Sequence, residues 1–146
     1  MQNRPPVPKG STVQLASVRV ITNDVDRLVQ FYEQVTGIQA RRPAEQFAEF
    51  VGQSCTLAIG SAETMTLFSA GAAVPESNRT AILEFLVEDV DREFERLTSL
   101  DLAPEIVQQP TTMPWGNRSL LFRDPDGNLV NYFTPVSDEA RARLAH

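Results

Sequence analysis

The tetrapeptide Asp-Val-Asp-Arg occurs twice, in "TNDVDRLVQFYEQVTGI" and in "VEDVDREFERLTSLDL". The copies start at Asp24 and Asp89, an offset of 89 − 24 = 65 residues in a chain of 146. A repeat of that size restricts the chain to folds built from two like halves. The flanks decide whether the match is coincidence. At the same offset Val18 falls on Leu83, Val20 on Phe85 and Ile21 on Leu86, so the segments before both copies alternate alike. At the far end Leu67 falls on Tyr132 and Phe68 on Phe133, which predicts that the closing strands are in register too. The sequence is best described as two copies of strand–helix–strand–strand–strand.

Local signals fill in each copy. Residues 14–22 alternate with period two, as a half-buried strand does, and Asn23 or Asp24 can cap the helix that follows. Val25, Leu28, Tyr32 and Val35 fall on one helical face, and Gly37 supplies the stop. Short strands are expected at 47–51, 55–59 and 64–69. In the second copy residues 80–87 form the opening strand, and Asp89 caps a helix carrying Val90, Phe94 and Leu97. Strands follow at 105–108, 119–123 and 129–134, with a turn at "RDPDGN". Residues 137–146 read as a short helix capped by Ser137. The expected organisation is an arm at 1–13, a first module at 14–70, a linker at 71–79, a second module at 80–136 and a tail at 137–146.

Composition narrows the chemistry. A net charge of −6 argues against nucleic acid and anionic membrane as partners. Cys55 is the only cysteine, so no internal disulfide can form; in "GQSCTLAIG" it reads as a small apolar filler in a strand. His146, the last residue, is the only histidine, which argues against a Ser-His-Asp or Cys-His site. "MQNRPPVPKGST" has no apolar stretch of the signal-peptide kind and no run reaches membrane-span length, so a cytoplasmic protein is expected. Phe50, Met65, Phe68, Phe122 and Phe133 are expected mainly in the core.

Two βαβββ modules, "VIT.DVDRLVQFYEQVTGI" in the first and "PWGNRSLLFRDPDGNLVNYF" closing the second, resemble the vicinal-oxygen-chelate superfamily of glyoxalases, extradiol dioxygenases and bleomycin-resistance proteins. The resemblance covers roughly residues 14–136. It implies an α+β fold of two tandem modules whose curved mixed sheets form a cup for a small molecule, commonly in a homodimer. It also implies four metal positions, which fall on Ser17, Thr66, Ile82 and Asn131. Metal-dependent members carry His, Gln or Glu there; this chain offers two hydroxyls, an apolar side chain and an amide. Such a set cannot balance a dication, so no metal and no cofactor are expected, and no catalytic residue is assigned.

On that same resemblance Ser17, Arg19, Thr66, Ile82, Glu84, Asn131 and Phe133 face the cup, with Trp115 and Arg118 at its mouth. Arg19 and Glu84 are related by the repeat; they could anchor ligand or form a structural ion pair, and the residues leave both open. Trp115 could serve as an aromatic platform or pack between modules. The function expected is metal-independent binding of a small-molecule ligand, as in drug or metabolite sequestration and antibiotic resistance. The alternative is a lyase, isomerase or dioxygenase of the superfamily with an atypical or metal-free active site.

Overall fold

The structure, a computed structural model, describes residues 13–145, so the expected arm up to residue 12 and His146 lie outside the described residues. The chain runs β1 (Ser17–Thr22), α1 (Val25–Thr36), β2 (Arg41–Ala44), β3 (Phe47–Val51), β4 (Thr56–Ser61) and a 3₁₀ segment (Ala62–Leu67). The order then restarts with β5 (Ile82–Leu86), α2 (Val90–Thr98), β6 (Glu105–Thr112), β7 (Asn117–Arg123), β8 (Leu129–Pro135) and α3 (Asp138–Leu144). The strands form two four-stranded sheets, ordered β1-β4-β3-β2 and β5-β8-β7-β6. In each, the first strand pairs parallel to the last and the others pair antiparallel. This is the expected α+β arrangement of two βαβββ modules. Two compact units can be distinguished: residues 13–80 together with 124–128, and residues 81–123 together with 129–145.

The repeated tetrapeptide does the same local work twice. Asp24 accepts a hydrogen bond from the Arg27 backbone N–H at 3.0 Å, and Asp89 accepts one from that of Arg92 at 3.1 Å. Each aspartate thereby satisfies a backbone donor that the first helical turn cannot. The valine that follows is buried in both copies. The second aspartate is tied to an arginine of its own sheet: Asp26 to Arg42 of β2 at 2.6 Å, and Asp91 to Arg118 of β7 at 2.9 Å. Val25, Leu28, Tyr32 and Val35 bury one face of α1, and Gly37 ends the helix at φ 72°. In α2 the buried residues are Val90 and Leu97, with Phe94 half-buried. Ser137 caps α3 through the Ala140 N–H at 3.1 Å.

The turn "DPDGN" is a hub of buried polar contacts. Asp124 Oδ1 accepts from the backbone N–H groups of Asp126 and Asn128, both at 2.9 Å. Its Oδ2 accepts from the Tyr32 hydroxyl at 2.7 Å and from Asn128 Nδ2 at 2.8 Å. Arg27 donates to Asp126 Oδ1 at 2.9 Å, and Asn78 Nδ2 donates to Asn128 Oδ1 at 3.2 Å. Gly127 takes φ 84°, which a side chain would disfavour. A buried carboxylate that accepts four hydrogen bonds ties the turn to α1, so this motif fixes structure.

The closing part of the first module departs from expectation. Residues 64–69 are not a strand: Thr66 lies in the 3₁₀ segment, its hydroxyl donating to the Glu63 carbonyl at 2.7 Å. The last strand is β4, and the four-residue β2 was not foreseen. Leu67 and Phe68 are exposed, so the proposed match to Tyr132 and Phe133 fails; Met65 and Phe133 are half-buried, while Phe50 and Phe122 are core. Cys55 is exposed and precedes β4 rather than filling a strand.

The physical reason is unequal hairpins. β5 pairs Glu84 with Asn131, and β1 pairs Arg19 with Ala58, so the closing strands are related by 131 − 58 = 73 residues. The hairpin from Glu105 to Arg123 spans 19 residues and that from Arg41 to Val51 spans 11, a difference of 8 that accounts for the change from 65.

Candidate functional site

Each helix covers one face of its sheet, and side chains of alternating parity point to the other. In the first module that open face carries Ser17, Arg19 and Ile21 of β1, Ala58 and Gly60 of β4, and Phe47 and Glu49 of β3. The central strand contributes almost no bulk, because Ala58 and Gly60 are the partners of Arg19 and Ile21. A Cβ built on Gly60 would stand 3.1 Å from Thr64 Oγ1, 3.5 Å from Ile21 Cδ1 and 3.8 Å from Arg19 Cδ. The result is a shallow trough over two small residues, which are themselves buried beneath neighbours that include Arg19 and Ile21.

Arg19 lies along this trough. Its guanidinium carbon stands over the Phe47 ring, 4.6 Å from the centroid, and over the Phe68 ring at 5.5 Å. Phe68 reaches the trough from just beyond the 3₁₀ segment. Ring faces stabilise the charge but leave the N–H donors unused. Glu49 shares the face and is matched by Arg41 at 3.7 Å.

The open face of the second module carries Ile82, Glu84 and Leu86 of β5 with Leu129, Asn131 and Phe133 of β8. Asn131 donates through Nδ2 to Glu84 Oε2 at 2.9 Å. Its Oδ1 is buried without a hydrogen-bond partner among the described residues, an arrangement that leaves it in want of a donor. Ile82 and Leu86 are exposed apolar side chains on the same face. Arg19 and Glu84 therefore each have a partner inside their own unit, the two rings for one and Asn131 for the other.

Trp115 is 56% exposed, in the loop between β6 and β7, and its carbonyl accepts a hydrogen bond from the Arg143 side chain of α3. Gly116 holds that loop against the start of α3: it has φ 92°, and a Cβ there would lie 2.0 Å from Ser137 Oγ. Arg118 is engaged rather than free. Nε and Nη2 donate to the two Asp91 carboxylate oxygens at 2.9 and 3.0 Å, and Nη1 donates to Thr112. These bonds hold the Asp91 carboxyl below its usual range and raise Arg118. Tyr132, packed against Phe85 and Phe122 on the helix side, has its phenol pushed well up by burial.

A separate polar cleft of about 480 Å³ opens at the start of α1, lined by Asp24, Asp26, Arg42, Glu45 and Ser61 among others. Among the described residues no group of three or more His, Cys, Asp or Glu could hold a metal ion.

The register corrects one of the four positions that the resemblance assigned to metal. Asn131 is the partner of Glu84, and the residue in the same place beside Arg19 is Ala58, not Thr66. The quartet is then Ser17, Ala58, Ile82 and Asn131: one hydroxyl, one amide and two hydrocarbon side chains. Such a set does not fit a divalent ion, which calls for several anionic or imidazole donors. Phe47, Ala58 and Gly60 were the site residues that sequence reasoning missed. Their signal was present in "QFAEFV" and "TLAIGS", where alternation separates Phe47 and Glu49 from Ala48 and Phe50, and the small residues from Leu57 and Ile59.

Comparison with known proteins agrees with this architecture. A crystal structure of a glyoxalase/bleomycin resistance protein/dioxygenase from Nocardioides superposes with a TM-score of 0.72 at 25% identity, covering 92% of this chain and 91% of that one. A family enzyme of the same description from Burkholderia phytofirmans PsJN gives 0.72 at 19% identity, over 85% of this chain and all (100%) of that one. In sequence the chain is 27% identical over 127 residues to Uncharacterized protein YraH of Bacillus subtilis (strain 168), covering 83% of this chain and 98% of that protein. The model of the Glyoxalase/Bleomycin resistance protein/Dioxygenase superfamily matches residues 14–132, and the chain belongs to that superfamily.

Proposed function

We propose that this protein binds a small molecule without a metal, in the manner of the drug- or metabolite-sequestering members of its superfamily. The observation that carries this reading is the donor set at the four positions, Ser17, Ala58, Ile82 and Asn131. Ser17 and Asn131 are neutral, and the other two have no donor atom. Glu84, the carboxylate nearest to Asn131, is already hydrogen-bonded by it. One carboxylate cannot supply the charge and coordination that a catalytic dication needs. The open faces instead present apolar side chains with a few polar groups, the usual make-up of a small-molecule site.

With this reading go a cytoplasmic homodimer and the binding residues Ser17, Arg19, Ile82, Glu84, Asn131 and Phe133 on the open faces. Trp115, which is exposed, is added to them as an aromatic platform. Thr66 and Arg118 take a lesser part, since one sits in the 3₁₀ segment and the other is held by Asp91.

The test has two measurements. Protein incubated with nickel, manganese, zinc or ferrous iron and then dialysed should retain no stoichiometric metal by elemental analysis. Retention of one equivalent per chain would overturn the reading in favour of an atypical superfamily enzyme. A panel of planar aromatic and cationic drugs should include one that raises the melting temperature. A ligand at a hundred times its dissociation constant adds about 2.7 kcal/mol of stability.

A further inference from the structure

We infer that the trough of the first module recognises an anionic group, a carboxylate on a planar apolar body, with Arg19 as the anchor. The inference rests on the small-molecule reading and specifies its ligand class. The overall charge of −6 would suggest the opposite preference.

The geometry of Arg19 carries it. A guanidinium has five N–H donors and no acceptor. Among the described residues of its unit Arg19 makes no hydrogen bond or ion pair; its ring contacts are with Phe47 at 4.6 Å and Phe68 at 5.5 Å. Glu49, a carboxylate on the same face, is paired with Arg41. Across from Arg19 the sheet offers Ala58 and Gly60, which neither cover it nor compete for its donors. A structural arginine is normally given acceptors, as Arg118 is by Asp91 and Thr112 and Arg27 is by Asp126. Arg19 is given two rings, which hold the side chain in place and leave its fork of donors to an incoming group.

What fits is an acceptor pair that meets the fork in two parallel bonds, which is the geometry of a carboxylate. The body of such a ligand lies against the Phe47 and Phe68 rings, above Ala58 and Gly60, which are themselves already buried. Phe68 is 68% exposed, which is costly for a side chain with no role and natural for the wall of a site that a ligand completes.

The probes are 2-naphthoate, its neutral isostere 2-naphthamide and the cation 2-naphthylmethylamine, measured by calorimetry and by thermal shift at pH 7. Wild-type protein should bind naphthoate at least about tenfold more tightly than naphthamide, the margin of one charge-assisted bidentate pair. Arg19→Met should abolish that preference, and Arg19→Lys should keep only part of it, because a point charge replaces the fork. Phe68→Ala should weaken both aromatic probes while keeping their order. Arg19 is exposed, so each variant should melt near the wild type without ligand, and circular dichroism checks this. Equal binding of naphthoate and naphthamide, or naphthoate binding untouched by Arg19→Met, overturns the anion anchor. If naphthylmethylamine or naphthamide binds and naphthoate does not, the anchor falls while the small-molecule reading stands. If none of the three binds, the anchor falls, and the drug panel decides the broader reading.

Discussion

The two modules share a topology and differ in what fills it. Their opening halves match in element order and in the Asp-Val-Asp-Arg segment, down to the capping aspartate and the aspartate–arginine tie. The open faces do not match: one presents Arg19 between two phenyl rings over a floor of Ala58 and Gly60, the other a Glu84–Asn131 pair flanked by Ile82 and Leu86. Beyond the shared Val-Asp-Arg start the helices differ too, and one matched pair matters most. Tyr32 and Leu97 are 65 residues apart and both fully buried, yet only Tyr32 carries a hydroxyl, which it donates to Asp124. The difference teaches that the duplicated frame is set by caps and apolar stripes, while each copy acquired its own polar contacts.

The largest effect should come from the polar contact that only one module has. Asp124→Ala removes the acceptor of four bonds and strands the Tyr32 hydroxyl and two backbone N–H groups. A loss of about 3 kcal/mol or more is expected from urea denaturation. Tyr32→Phe keeps the packing and should cost only about 1 kcal/mol, because Asp124 retains its other three donors. If the two variants cost the same, Asp124 is not the hub and the asymmetry between the helices is superficial.

A middle-sized effect probes the shared half. Asp24→Ala and Asp89→Ala should each lower stability by about 1 kcal/mol, and the double variant by about the sum, since each cap serves its own helix. Unequal losses would show that the tetrapeptide copies are alike in sequence only.

The smallest effect separates the two aspartate–arginine ties from solvent. Asp91 has a depressed folded carboxyl owing to Arg118, so its contribution is present above the unfolded carboxylate value of about 3.9 and is lost as pH falls through the lower folded one. The pair is largely exposed, so screening leaves only a few tenths of a kcal/mol. The urea midpoints of wild type and Arg118→Met should therefore differ slightly at pH 7 and converge as the pH falls below the usual carboxylate range. A gap that persists in acid would mean that Arg118 acts through packing.

Much of the fold was legible because its signals are local. The N-caps at Asp24, Asp89 and Ser137, the stop at Gly37 and the "DPDGN" turn are each decided within four or five residues, and all stand where the residues put them. The site was less legible. Residues 64–69 have a strand-like composition, yet the chain after β4 closes into a 3₁₀ segment, where Thr66 bonds to Glu63. Extending one offset through both hairpins then misplaced the partner of Asn131 on Thr66. Hairpin length is not written in any short pattern, so an eight-residue difference passed unseen.

The sequence by itself determined that this chain has two halves and that each opens strand–helix with an aspartate cap. Only the tertiary structure decided that Ala58 stands beside Arg19, that Phe47 and Phe68 converge on its guanidinium, and that Tyr32 meets Asp124 across 92 residues. The reason is physical. Caps and periodicity arise from bonds between near neighbours in the chain, whereas a site depends on sheet register, which is settled by the pairing of distant strands.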